Sequence, residues 1–254
     1  MNSPLLKTEN VVKRFGGLVA LEGVSVSIPK GKVVMLIGPN GSGKTTLINV
    51  ISGVYKPERG RVIFNGTNIT GLPPHKVFSL GITRTFQIPS LFFKLTVLEN
   101  LLVAPKEQIG ENILPALLRR REWIRQEKHL IDKAFKIMDL LTLSHLWNRK
   151  ASELSGGQMK LLEVGRALMS DPKVILMDEP VAGINPKLAY DIMAHIVSIK
   201  DKLGVSFLIV EHRLDIVLDY VDHVYAMHRG KVISEGKPKE VVSDPLVVRS
   251  YLGG

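Results

Sequence analysis

A glycine-rich turn placed directly after a buried-type strand decides more about this chain's architecture than anything else in it. Val33-Val34-Met35-Leu36-Ile37 runs straight into Gly38-Pro39-Asn40-Gly41-Ser42-Gly43-Lys44-Thr45, with Thr46 following. The apolar run lacks the alternation of a half-exposed strand and reads as one buried on both faces, as in parallel sheets. The loop fits Gly-x4-Gly-Lys-Ser/Thr, whose glycines let backbone N–H groups approach phosphate oxygens closely. Alone, such a loop indicates only a nucleotide. Two further runs of the same kind, Val174 to Met177 and Ser206 to Val210, end in Asp178-Glu179 and Glu211-His212. All three ends then belong at the carboxyl edge of one sheet, where open α/β sheets bind ligands.

The segments Val24 to Ile28, Arg61 to Phe64, and Val224 to Met227 with its Arg229-Gly230 turn into Val232-Ile233 read differently. They look like shorter antiparallel strands joined by hairpins. Between Leu95 and Arg149 the pattern becomes helical: Leu98, Leu101 and Leu102, then Ile131, Ala134, Phe135, Met138 and Leu141, recur at three- and four-residue spacing. Pro105 and Pro115 divide this stretch, and Asp171-Pro172 closes a later helix that starts at Ser155.

Composition narrows the class. At 254 residues the chain is long enough for a substantial core. No apolar run approaches the ~18 residues of a bilayer-spanning helix, and Met1-Asn2-Ser3-Pro4 lacks a secretory apolar segment, so the chain is expected to be soluble. Zero cysteines exclude disulfides, thiolate metal sites and cysteine catalysis, and fit a reducing cytoplasm. The 34 Lys+Arg against 24 Asp+Glu give a charge of +10, which raises nucleic acid or an anionic membrane surface as partners. The densest cluster, Arg119-Arg120-Arg121 with Arg125 and Lys128, is interleaved with Glu122 and Glu127 and reads first as a solvated helix face. Contact with anionic lipid is the next reading and nucleic acid the last.

Leu154-Ser155-Gly156-Gly157-Gln158 supplies a second glycine-rich helix start, with N–H groups at the positive end of a helix dipole. A phosphate loop, then this segment, then an apolar strand ending Asp-Glu resembles the nucleotide-binding subunits of ABC transporters, from about Leu5 to the end. The resemblance implies an α/β ABC ATPase fold: a P-loop NTPase (RecA-like) core, a small antiparallel β subdomain and an inserted α-helical subdomain. Residues 1–87 and 166–254 are expected to form the core with its antiparallel part, and 88–165 the helical subdomain ending in the signature motif.

The expected cofactors are ATP and Mg²⁺. Gly38, Pro39, Asn40, Gly41, Ser42, Gly43, Lys44, Thr45 and Thr46 are expected to hold the phosphates, Lys44 as a compact cation on the β- and γ-phosphates. Thr45 offers its hydroxyl to Mg²⁺, and Asp178 completes the metal's environment directly or through water. Glu179 is the candidate to polarise the attacking water, with its side chain pointing differently from that of Asp178. From the resemblance come three more roles: Gln87 contacts Mg²⁺ or the water, His212 contacts the γ-phosphate, and Phe15 stacks on adenine where many relatives have Tyr. Ser155, Gly156, Gly157 and Gln158 would contact the ATP held by a second subunit, because relatives place the signature on the far side of the helical subdomain.

One departure concerns Val181-Ala182-Gly183-Ile184-Asn185-Pro186, where relatives usually carry Asp at the place of Asn185. Asn keeps the hydrogen-bonding shape and loses the charge. Ala-Gly-x-Asn-Pro, the segment Gly81 to Gln87 and the end Ser243-Asp244-Pro245 to Tyr251-Leu252 resemble the branch serving branched-chain amino-acid importers. That implies an ATP-hydrolysing peripheral subunit on the cytoplasmic face of the cell membrane. Its partners would be a second ATPase subunit, identical or not, integral membrane permease subunits and, indirectly, a periplasmic or extracellular solute-binding protein. A urea or amide importer and an exporter stand as alternatives. A soluble ABC ATPase acting on nucleic acid or ribosomes is disfavoured by the lack of heptad arms and of a second cassette. Ile88, Pro89, Leu91, Phe92 and Phe93 form either an apolar ledge for a membrane-subunit helix or internal core.

Overall fold

The three apolar runs become β4 (Val33–Ile37), β8 (Val174–Asp178) and β9 (Ser206–Val210), and every residue in them is buried. β9 lies between the other two and pairs with both in parallel. The computed structural model describes residues 3–85, 91–106, 108–111 and 119–252. Its contacts divide the chain into a unit of residues 1–87 with 173–254 and a unit of residues 88–172.

In the first unit, β7 (Ile82–Arg84), β10 (His223–His228) and β11 (Lys231–Gly236) extend the main sheet to six strands in the order β11-β10-β4-β9-β8-β7. β10 departs from the expectation of an antiparallel strand. It is parallel to β4, Val224 opposite Met35, and only its other edge carries the antiparallel hairpin with β11. A run with a tight turn after it looks the same whichever way its other neighbour runs. The second sheet is antiparallel: β2 (Leu18–Val24), β1 (Leu6–Phe15), β5 (Arg59–Phe64) and β6 (Thr67–Asn68) in that order, with β3 (Ser27–Ile28) also on β1. Val24 to Ile28 thus splits between β2 and β3.

Alternation within the buried strands builds the core. Val34 and Leu36 of β4, with Val174, Leu176, Leu208 and Val210, join a cluster with Leu6, Leu21, Val24 and Phe64 of the antiparallel sheet. Leu47, Ile48 and Ile51 of α1 (Lys44–Ile51) belong to the same cluster. Each fully buried side chain of this kind stabilises by about 1.5–3 kcal/mol. The helix that follows the phosphate loop is therefore anchored by three such residues. Residues Met35, Ile37, Phe207 and Ile209 are buried as well, so both faces of the sheet are covered.

The second unit contains α3 (Val97–Leu102), α4 (Arg120–Leu140) and α5 (Gly156–Met169), following α2 (Pro74–Leu80) of the first. Leu101, Ala134, Met138, Leu141 and Leu162 are buried between these mutually packed helices, as the helical spacing predicts. Pro115 lies outside the described residues. Because α5 runs unbroken through residues 165 and 166, the division falls after Pro172 instead, beyond the left-handed turn at Asp171 (φ 51°). Arg119, Arg120, Arg121, Arg125 and Lys128 are all exposed, with Arg119 paired to Glu122 at 3.8 Å. Among the described residues no helix is long and apolar enough to cross a membrane.

Candidate functional site

The loop 38–43 links β4 to α1, and its backbone is shaped by close approach. Gly38 has φ 146°, and a Cβ there would stand 2.1 Å from Met227 O; Gly43 has φ 103°, with Ala20 O 2.6 Å from a Cβ position. Only glycine meets both demands. Lys44 folds back over the loop, its Nζ donating to Gly38 O at 2.8 Å and Pro39 O at 3.0 Å. Burial pulls the Lys44 ammonium below the usual lysine range, opposed by the charges of Glu179 and Asp178. The ammonium thus lies within the influence of two carboxylates while it rests on the loop's carbonyls.

Asp178 ends β8, nearly buried. Burial pushes its carboxyl up from the ordinary value; Arg84 opposes this, Glu179 adds to it, and a hydrogen bond from the Thr45 hydroxyl and the charge of Lys44 oppose it further. Thr45 and Asp178 thus meet through hard oxygen donors suited to a magnesium ion. Among the described residues no group of three or more His, Cys, Asp or Glu is arranged to hold a metal. Two protein oxygens suit an ion whose remaining ligands are waters and phosphates, so this pair fits Mg²⁺ as a nucleotide-borne ion.

Glu179 turns away from its neighbour by a backbone device. Its φ of 52° lies in the left-handed region, a conformation that costs a non-glycine residue roughly 1–2 kcal/mol. Two hydrogen bonds hold it there: its N–H donates to Val210 O at 2.8 Å, and its carbonyl accepts from Ala182 N–H at 3.2 Å. The side chain consequently lies beside His212, Nε2 being 3.3 Å from Glu179 Oε1. A cavity of about 270 Å³ is lined by Asn40 to Thr46, Glu179, His212 and Phe15 together. The Phe15 ring sits edge-on to Tyr55 at 5.1 Å between centroids, leaving it 42% exposed. Such an exposed face can stack on a base.

The expected signature starts α5 with a reciprocal cap. Ser155 Oγ accepts from Gln158 N–H at 3.4 Å, and Gln158 Oε1 accepts from Ser155 N–H at 2.9 Å. Gln158, expected among the nucleotide contacts, spends its side-chain oxygen on this cap. Two of the helix-start N–H groups expected to meet an anion are therefore already bonded. Those of Gly156 and Gly157 belong to the first turn, which lacks intrahelical acceptors, and a Cβ at Gly156 would meet nothing within 4 Å. Gln87, Ile88 and Pro89 lie outside the described residues. Of their neighbours, Leu91 is buried, whereas Phe92 and Phe93 are 51% and 50% exposed. The fully buried Asn100 brackets Phe92, Oδ1 accepting from its N–H at 2.9 Å and Nδ2 donating to its carbonyl at 3.0 Å.

Residues 21–182 match the ABC transporter family, and residues 231–254 match the family described as branched-chain amino acid ATP-binding cassette transporter. The chain belongs to the ABC transporter family. A probable branched-chain amino acid transport ATP-binding protein of Methanocaldococcus jannaschii is 54% identical over 253 residues, covering 98% of this chain and 97% of the relative. The crystal structure of an ATP-binding cassette of an ABC transporter in its ADP conformation superposes with TM-score 0.86 at 52% identity, all of both chains being covered. A dimeric cassette in a post-hydrolysis state, bound to ADP and Pi, gives 0.72 at 26% identity over 92% of this chain and 98% of that one.

As an ABC ATPase the chain binds and hydrolyses ATP, and its phosphate loop, Glu179 and His212 line one cavity. Sequence reading passed over three ABC cassette residues that the structure connects to that region. Arg84 Nη2 lies 3.5 Å from Asp178 Oδ2, and Arg84 also donates to Asn49 Oδ1. The carboxylate of Glu211, 1% exposed, accepts the N–H groups of Val181, His212 and Arg213 at 2.9, 2.9 and 3.2 Å. Arg213 Nη1 donates to Ile184 O at 3.3 Å. Asn185 Oδ1 accepts from Leu188 N–H at 2.9 Å, capping α6 (Pro186–Leu203). The departure from Asp therefore keeps a strong helix cap, since Asn and Asp serve almost equally there.

Proposed function

We propose that this chain powers the import of branched-chain amino acids as the ATP-hydrolysing subunit on the cytoplasmic face of a membrane transporter. The hydrolytic half of the reading rests on one observation: Lys44, Glu179 and His212 line a single cavity with the phosphate loop. The transport half rests on the near full-length likeness to ATP-binding proteins of that branch and on the C-terminal match.

Residues 38–46 receive the ATP phosphates through backbone N–H groups and the Lys44 ammonium, and Phe15 stacks on the base. Thr45 and Asp178, with Gln87 as a further contact, would hold Mg²⁺, which when bound neutralises phosphate charge. Glu179 accepts the proton of the attacking water, a contribution of about 10²–10⁴ in rate. His212 orients the γ-phosphate oxygen beside it. In the dimeric arrangement Gly156 and Gly157 offer their N–H groups to the γ-phosphate on a second subunit, so ATP closes the pair and hydrolysis releases it. Phe92 and Phe93 supply apolar surface against a permease helix.

The test is reconstitution. The chain is co-purified with the membrane subunits it associates with, placed in vesicles and given ATP with a leucine-loaded solute-binding protein. ATP-dependent leucine uptake is expected, and Glu179→Gln should bind ATP in the same vesicles yet abolish uptake. Transport that ignores leucine, isoleucine and valine would overturn the substrate class, and unchanged turnover in Glu179→Gln would overturn the general base.

A further inference from the structure

Gly38 is held at both ends of its residue. Its carbonyl accepts from Lys44 Nζ at 2.8 Å, and its N–H donates to the hydroxyl of Tyr251 at 2.7 Å. Tyr251 is 213 positions further along the chain, near the end of α9 (Pro245–Leu252), which follows α7 (Leu214–Val217) and the short helix α8 (Pro238–Val242). Both partners belong to the same structural unit.

Helical periodicity explains how the tyrosine arrives there. Val247 and Ser250 are buried and Tyr251 stands four residues after Val247, whereas Leu246 and Val248 are exposed. The face carrying Val247, Ser250 and Tyr251 is the one turned inward, and α9 packs against β11. Tyr251 keeps 39% of its surface exposed, so apolar burial is not its main contribution. A phenylalanine would fill the same space. What tyrosine adds is an oxygen at the one N–H that opens the phosphate loop. Burial pushes the phenol up from its ordinary value, while the Gly38 hydrogen bond opposes it; the hydroxyl stays protonated at neutral pH and accepts the N–H through a lone pair.

We propose that Tyr251 is a positioning residue for ATP binding: its hydroxyl fixes the Gly38 end of the phosphate loop, so the C-terminal helix sets how well the loop receives phosphate. This rests on the reading of residues 38–46 as the phosphate site. The N–H of Gly38 and the carbonyl on which Lys44 rests lie on successive peptide planes joined at its Cα, so a shift of the first is passed through that Cα to the carbonyl and to the lysine. The left-handed φ of 146° and the 2.1 Å approach of Met227 O to a Cβ position at Gly38 show how little freedom this residue has. Losing the tyrosine oxygen leaves a nearly enclosed N–H without its acceptor, and relief would come by shifting the peptide.

The experiment compares wild type, Tyr251→Phe, Leu246→Ser and Lys44→Ala, using a fluorescent ATP analogue for Kd, steady-state hydrolysis for KM and kcat, and thermal melting. Tyr251→Phe is expected to raise Kd and KM for ATP about fivefold, the size of one neutral hydrogen bond, with kcat within about twofold. Leu246→Ser, altering the outward face of the same helix, is expected to match wild type in all three. Tight ATP binding by Lys44→Ala would sink the phosphate-loop reading and this inference with it. If Lys44→Ala loses ATP while Tyr251→Phe binds and hydrolyses like wild type, only the Tyr251 proposal falls. A fall in melting temperature, or in kcat, with KM unchanged would equally overturn it.

Discussion

Glu211 Oε1 accepts the N–H of Val181 at 2.9 Å, while its other oxygen takes the N–H groups of His212 and Arg213. One buried carboxylate thus ties the loop after Glu179 to the loop carrying His212. Three N–H groups on one anion make a strong, charge-assisted arrangement. Glu211→Gln keeps the shape but turns an NH₂ group towards one set of donors, leaving at least one N–H without an acceptor. Turnover is expected to fall about tenfold or more as the Glu179–His212 geometry loosens, with a smaller change in KM for ATP. Steady-state kinetics beside a melting curve decides this; equal kcat in both proteins would show that the clamp does not position the pair.

Asp222 is the counterpart at the opposite end of β4. It accepts from Lys32 Nζ at 2.8 Å and Val33 N–H at 2.9 Å, and Lys200 stands 3.7 Å away. Burial alone would raise its carboxyl, but the Lys32 hydrogen bond, the Val33 N–H and the two lysine charges outweigh it and hold it below the usual aspartate range. Because the folded value is depressed, the unfolded chain binds the proton more readily. The resulting stability is present above the unfolded pKa and is lost as pH falls through the folded one. Asp222→Asn is therefore expected to be less stable at pH 7 by about 1–2 kcal/mol, the gap closing below the ordinary carboxylate range. Urea unfolding at a series of pH values checks it, and a gap independent of pH would contradict the assignment.

How much of this was legible in the sequence depended on how local each signal is. β4, β8 and β9 could be read because unbroken branched runs have few other uses, and the need for Asp178 and Glu179 to diverge followed from their adjacency. The device that separates them, φ 52° at Glu179, has no sequence signature. β10 misled because its pairing with β4 joins segments nearly two hundred residues apart. Arg84, Glu211 and Tyr251 went unassigned for the same reason: each makes a contact that matters with a partner 94, 30 or 213 positions away. The Ser155 to Gln158 cap was different. Ser-x-x-Gln is a readable capping pattern, but the glycines between drew the reading towards an anion.

Asn185 offers a stability test on the loop that departs from its relatives. Its Oδ1 takes the Leu188 N–H at the start of α6, a contact that Asp can reproduce and Ala cannot. Asn185→Ala is expected to lose about 1 kcal/mol. Asn185→Asp should match wild type or exceed it slightly, since an anion at a helix N-terminus is favoured by the dipole. Chemical denaturation of the isolated subunit measures both. An alanine variant as stable as wild type would mean that the cap contributes nothing there.

The sharing of ATP between two subunits is the proposal most open to a decisive mixture. Lys44→Ala removes the phosphate-loop cation, and Ser155→Arg both removes the cap acceptor used by Gln158 and places a bulky cation at the helix start. Every site in either homodimer then lacks one of its halves, so both parents should be nearly inactive. In a mixed dimer the Lys44→Ala chain still presents an intact signature to the sound phosphate loop of its partner. One complete site is rebuilt, and the other carries both defects. Hydrolysis is expected to return to at most about half of the wild-type rate, taking sites as additive, and trapped nucleotide should rise towards one per mixed dimer. Separate affinity tags on the two chains confirm subunit exchange. If exchange occurs and neither hydrolysis nor trapping exceeds the parents, each chain must complete its own site, and the signature of the second subunit plays no part in it.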